Sequence, residues 1–129
     1  MRRSEDPVLP AVNRMRLPDE FRSVFRAGTK AGSRQLVVYC LRNSDDAHAP
    51  RVGFVVSKAV GNAVVRNRVK RRLRELMRPR LHHLDEGTLL VLRALPAAAE
   101  ADFAALERAL TKGMDRLGLT KRTDEAQSR

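Results

Sequence analysis

The segment Arg66-Asn67-Arg68-Val69-Lys70-Arg71-Arg72-Leu73-Arg74 constrains the fold more than any other part of the chain, because it demands opposite environments within one short stretch. Its cations cannot be buried unpaired, yet apolar residues recur through the run at Val65, Val69, Leu73 and Leu76. Only a helix separates the two sets. At 100° per residue the four apolar side chains fall within an arc of about 80°, a stripe that must face a core. Arg66, Lys70, Arg74, Asn67, Arg78 and Arg71 fill a continuous outward arc from about 100° to about 240° on the same wheel. Arg68 and Arg72 lie near the other border of the stripe, where their stems can pack while their heads reach solvent.

A charged helix face usually alternates in sign and is supported by i, i+4 pairs. Here a single acid, Glu75, interrupts the cations between Arg66 and Arg80, so the like charges repel and a polyanionic partner offsets the cost. The whole chain has the same bias: 26 Lys and Arg against 15 Asp and Glu give a formal net charge of +11. Nucleic acid is the usual partner for such a field. Guanidinium forks match two phosphate oxygens, and Asn67 offers both a donor and an acceptor to a base edge or a 2′-hydroxyl. An acidic membrane surface is the competing reading, but no segment approaches the ~18 apolar residues of a span. Met1 to Pro10 lacks the apolar run of a secretory signal. The lone cysteine, Cys40, excludes an intramolecular disulfide and suits a reducing cytosol; within its apolar run it reads as buried filler. A cytoplasmic protein is therefore expected.

At 129 residues the chain fits a single domain, with no repeat or long linker to divide it. Leu17-Pro18-Asp19-Glu20 opens a short helix with Phe21, Val24 and Phe25 on one face, and Gly28 ends it. Leu36 to Leu41 reads as a strand covered on both faces. After a polar turn from Asn43 to Pro50, Arg51 to Ser57 reads as a second strand, antiparallel to the first. The basic helix lies within Val60 to Leu84, and Thr88 to Arg93 is a third strand that Pro96 breaks. A further short strand near Lys30 to Arg34 has only a weak pattern. Asp102 caps a last helix with Phe103, Leu106, Leu110, Met114 and Leu117 on one face. Gly113, inside that helix, costs about 1 kcal/mol relative to Ala and predicts a frayed last turn. The irregular mixture of elements makes the class α+β.

These residues also resemble a known family. Gly53-Phe54-Val55-Val56-Ser57-Lys58, then Val60-Gly61-Asn62-Ala63-Val64-Val65, then Arg66-Asn67-Arg68-Val69-Lys70-Arg71 resemble the signature block of the bacterial ribonuclease P protein. Asn13-Arg14-Met15-Arg16 with Phe21 and Phe25 resembles its N-terminal motif, and the likeness runs from about Leu9 to Leu119, with residues 1–7 and 120–129 expected to be flexible. The resemblance implies a four-stranded sheet with three helices, a ribosomal-protein-like domain with a left-handed crossover through the basic helix. It implies a protein that binds the catalytic RNA of ribonuclease P and the 5′ leader of precursor tRNA, and aids leader removal, while the RNA performs hydrolysis with bound Mg²⁺. On that basis Lys58, Asn62, Arg66, Asn67, Arg68, Lys70, Arg71 and Arg74 are the RNA-binding residues. Phe21, Phe25 and Tyr39 form the leader cleft; spacing by itself gives Phe21 and Phe25 an ordinary place in the core. Two positions depart from the family: Ala59 stands where a second Lys is common, and Pro18 replaces a polar helix cap.

Other signals carry less. His82-His83-Leu84-Asp85-Glu86 gathers possible ligands without the i, i+4 spacing of a zinc site and reads as a loop after the helix. His48 lies in the polar turn with no evident partner. No nucleophile triad, metalloprotease motif or phosphate-cradling loop occurs, so no catalytic residue is expected in the protein, and no obligatory protein partner is implied. The alternatives are a structural, ribosomal-type RNA-binding protein and a DNA-binding basic helix; the latter lacks a heptad or helix-turn-helix pattern.

Overall fold

The computed structural model describes residues 9–42 and 48–119 of the chain. The ends expected to be flexible, 1–7 and 120–129, lie outside the described residues, as do 43–47 of the polar turn. In chain order the elements are helix α1 (Pro18–Ala27), strands β1 (Thr29–Gly32), β2 (Leu36–Arg42) and β3 (Arg51–Val55), helix α2 (Ala63–Met77), strand β4 (Thr88–Ala94) and helix α3 (Phe103–Arg116). Helix α1 begins as its sequence predicts despite lacking a polar cap: Leu17 takes the cap position, and Pro18 fills a place where no N–H is needed. Asp19 and Glu20 then sit at the positive end of the helix dipole. Among the described residues no helix is long and apolar enough to cross a membrane.

Three helices and a four-stranded mixed sheet make the α+β fold that the residues predict, and the weakly patterned short strand is present as β1. The sheet order is β1-β2-β4-β3. One pairing differs from expectation. Strand β3 runs antiparallel to β2 as expected but is not its neighbour; it pairs parallel with β4, with Gly53 opposite Val91 and Phe54 opposite Leu92. Strand β2 instead pairs antiparallel with β4, Val38 opposite Leu92. The physical reason lies in β4, whose Leu89, Leu90, Val91 and Leu92 are all buried. A strand apolar on both faces belongs in the middle of a sheet. The half-exposed ends of β3, Arg51 and Val55, suit an edge. That edge is covered by the N-terminal segment, where the Met15 N–H donates to the Val52 carbonyl at 3.0 Å.

Alternation along the strands divides the interior in two. Leu36, Val38, Cys40, Val52, Leu90 and Leu92 face Val69, Leu73 and Leu76 of α2 and Leu106, Leu110 and Met114 of α3. On the other face Tyr39, Leu89 and Val91 pack with Met15 and with Val24 of α1. Each fully buried Leu or Val contributes about 1.5–3 kcal/mol relative to exposure. Burial pushes the Cys40 thiol above its ordinary pKa, against a smaller opposing pull from Arg42.

The last helix corrects a second expectation. Gly113 does not loosen its final turn, because the missing side chain lets α3 sit close on the sheet. A Cβ there would lie 2.6 Å from Val38 Cγ2. The helix runs on to Arg116, and the Arg42 guanidinium donates to the Leu117 and Gly118 carbonyls at 3.2 and 3.3 Å. The segment after α2 is a 3-10 turn, Arg78–His83, rather than an irregular loop. The His48 ring Nδ1 lies 2.6 Å from the Ala49 carbonyl, and the His48 backbone carbonyl accepts from the Gly87 N–H at 2.8 Å.

Candidate nucleic-acid interface

Helix α2 starts where its sequence allows a self-made cap. The Asn62 side-chain oxygen accepts from the Val65 N–H at 3.0 Å, satisfying one of the orphan donors of the first turn. Lys58 is exposed in the turn just before it, as is Ala59. From Asn62 onward the helix presents its stripe to the core as predicted, with Val69, Leu73 and Leu76 buried and Val65 half-buried. Met77 joins the buried set.

With Met77 inside, the outward face is rotated relative to the arc that periodicity suggests. Val64, Asn67, Arg68, Arg71, Glu75 and Arg78 are exposed, whereas Arg66, Lys70 and Arg74 are half-buried along one flank. On the helical wheel the exposed arc runs from about 200° to about 300°. The Arg66 Nε donates to the Gly61 carbonyl at 3.0 Å, tying that side chain to the helix start. Lys70 and Arg74 line a pocket of about 360 Å³ together with Arg14, Arg16, Met15 and Phe21. On the opposite flank Arg68 and Arg72 donate to the carbonyls of Ala99 and Ala101 at 3.2 and 3.0 Å, which locks α2 to the segment preceding α3. The eight RNA-binding candidates thus divide into an exposed group (Lys58, Asn62, Asn67, Arg68 and Arg71) and a half-buried group (Arg66, Lys70 and Arg74). Val64 and Glu75 share the exposed face, at about 260° and 280° on the same wheel, a signal that the sequence reading did not use.

The aromatic candidates also divide. Phe25 and Tyr39 meet edge to face, with ring centroids 4.9 Å apart and planes at 81°. Phe25 is 42% exposed and Tyr39 only 9%, so Phe25 is the ring with a face to offer. Their cleft, about 510 Å³, is completed by Gly28, Lys30, Val55, Ser57 and Arg93. Sheet register does this: Lys30 lies opposite Tyr39, and Arg93 opposite both Val37 and Val55. Sequence reading missed Lys30 and Arg93, although an Arg ending the apolar run of β4 was a usable signal. Phe21 lies one turn earlier on α1, where its ring rests against Gly53; a Cβ at that glycine would be 2.5 Å from the ring. This arrangement provides an exposed aromatic face between two cations, and on the opposite side of the sheet a cationic helix. Both suit RNA: stacking for unpaired bases, guanidinium forks for phosphates.

The relatives of the chain agree with that chemistry. A sequence model of the family described as Ribonuclease P matches residues 9–118. The ribonuclease P protein component of Beutenbergia cavernae is 54% identical over 112 residues, which is 87% of this chain and 93% of the relative. That of Streptomyces avermitilis is 50% identical over 117 residues, 85% of this chain and 95% of the relative. Among solved structures, the ribonuclease P protein of Staphylococcus aureus superposes with a TM-score of 0.75 at 27% identity, covering 84% of this chain and 98% of that one. The protein from Thermotoga maritima, in complex with 1-(4-fluorophenyl)-2-thiourea, gives 0.67 at 28% identity, covering 77% and 94%. Matched in sequence and in fold over nearly all of its described residues, the chain belongs to the ribonuclease P protein family, an RNA-binding component of tRNA processing rather than a structural protein of ribosomal type.

Proposed function

We propose that this chain binds the catalytic RNA of ribonuclease P through α2 and the 5′ leader of precursor tRNA through the Phe25–Tyr39 cleft. In this reading it aids removal of the leader in the cytoplasm while the RNA carries the chemistry. The observation that carries the reading is the separation of the two surfaces. Helix α2 packs on one face of the sheet through Val69 and Leu73, and the cleft opens on the other beside α1. One protein can then hold the catalyst and the substrate at once. On the catalyst side Lys58, Asn67, Arg68 and Arg71 meet phosphates and base edges, while Asn62 fixes the helix start. Arg66, Lys70 and Arg74 reach the same RNA from the flank. On the substrate side an unpaired base stacks on Phe25, worth about 1–3 kcal/mol, between the cations of Lys30 and Arg93.

Mg²⁺ belongs in this reading to the RNA and the substrate. Among the described residues no three His, Cys, Asp or Glu side chains gather where they could hold an ion. When bound, the ion supplies an activated water and stabilises the leaving oxygen. The protein contributes position and charge neutralisation. The test is leader removal from precursor tRNA by a bacterial catalytic RNA at low Mg²⁺, with and without this protein. Added protein should accelerate cleavage, and RNA-free protein should give none. Cleavage by rigorously RNA-free protein would overturn the division of labour.

A further inference from the structure

The exposed face of α2 is not uniformly basic. Beside Arg68, Arg71 and Arg78 it carries Val64, which is 72% exposed, Asn67 and Glu75. Glu75 lies one turn after Arg71 and three residues before Arg78, yet it enters none of the ion pairs among the described residues. Those pairs include Asp19 with Arg22, Glu20 with Arg51 and Glu107 with Arg80. If this face served only to neutralise phosphate, a carboxylate in its last turn, between Arg71 and Arg78, would oppose that task, since it repels the phosphates that its neighbours attract. A carboxylate is favourable there only opposite a hydrogen-bond donor. On RNA the uncharged donors within reach of a helix face include 2′-hydroxyls and the exocyclic amines of exposed bases; carboxylates accept from both, but only the amines distinguish one RNA sequence from another. Toward the start of the same face, Asn67 and Val64 fit the same view: one can read a base edge, and the other offers apolar surface in place of charge.

We propose that Glu75 is a specificity-determining residue of this face, accepting a hydrogen bond from the exocyclic amine of an exposed base in the catalytic RNA. Its neighbours supply affinity for any phosphate backbone; Glu75 penalises an RNA that brings only phosphates to that point. The inference rests on the reading of α2 as the surface that meets the catalytic RNA.

The test compares Glu75→Lys, Glu75→Ala, Glu75→Gln and Arg71→Ala for binding to the catalytic RNA and to an unrelated structured RNA of similar length. Both positions are exposed, and thermal unfolding confirms that each of the four variants is folded. Glu75→Lys should bind the unrelated RNA more tightly, with a salt slope steeper by about 0.7–0.9 for the added phosphate contact. The same variant should bind the catalytic RNA about 5- to 150-fold more weakly, the usual range for a lost base contact. Glu75→Ala should also lose affinity for the catalytic RNA, whereas Glu75→Gln, which keeps an acceptor oxygen, should recover most of it. Tighter binding of both RNAs by Glu75→Lys would overturn the proposal, making Glu75 a solvated bystander. Equal losses in Glu75→Gln and Glu75→Ala would overturn it too, because the charge and not the acceptor would then matter. Arg71→Ala separates the levels. If it weakens the catalytic RNA while Glu75→Lys strengthens it, this inference alone fails; if it has no effect, the assignment of α2 fails with it.

Discussion

Phe25 and Tyr39 meet at right angles, and their unequal exposure decides how each can be probed. Truncating Phe25 removes a ring that is 42% exposed, so Phe25→Ala should leave the fold intact. Truncating Tyr39 opens the smaller core and destabilises the protein. In the assembled holoenzyme, Phe25→Ala combined with Tyr39→Ala should lower affinity for precursor tRNA by about 5- to 150-fold, the equivalent of one stacked base. Mature tRNA, without a leader, should be much less affected. Equal losses for both RNAs in a variant shown to be folded would return the two rings to a purely structural role. The neighbouring Phe21 shows why residue type alone was a poor guide. Spacing put it on the same helix face as Phe25, but only the close approach of Gly53 shows that its ring is seated on the edge strand.

Among the elements, α2 is capped at its start by the Asn62 side-chain oxygen, which accepts from the Val65 N–H. Asn62→Ala should cost about 1 kcal/mol of stability, within the usual 0.5–2 kcal/mol for a lost cap, and Asn62→Asp should restore it. Urea denaturation at constant ionic strength measures both. An Asn62→Ala variant as stable as the parent would mean that the cap is replaced by solvent. The helix and its buried stripe were legible in the sequence because a 3.6-residue period is a local property of the chain. Which cations point straight outward was not, because Met77 and the packing of the helix end turn the face away from Arg66, Lys70 and Arg74. Strand partners were less legible still. The strands β2 and β3 both read as apolar runs, and nothing local in either says that β4 comes between them. The unbroken apolar stretch from Leu89 to Leu92 was the one clue to a central strand. The pairing of Lys30 and Arg93 with the aromatic cleft follows from that order, and so it was hidden along with it.

For the whole molecule the net charge of +11 sets the character of binding before any single contact does. If about six phosphates are neutralised, the logarithm of the association constant for RNA should fall with the logarithm of salt concentration at a slope of roughly −4 to −5. Filter binding or fluorescence titration over a salt series measures it, and a nearly flat dependence would remove the electrostatic role of α2. The sheet order has a consequence of another kind, for the making of the protein. The inner strand β4, which joins β3 to the rest of the sheet, is the last of the four to be synthesised, ending at Ala94. As the chain leaves the ribosome, β1 and β2 can close as a hairpin, but β3 has no strand beside it until β4 emerges. A hairpin alone is only marginally stable in water. The basic helix, synthesised between β3 and β4, therefore emerges before the sheet it packs against is complete. Its arginines meet the RNA-rich surroundings of the ribosome while its apolar stripe is still uncovered, and the arrival of β4 ends that interval.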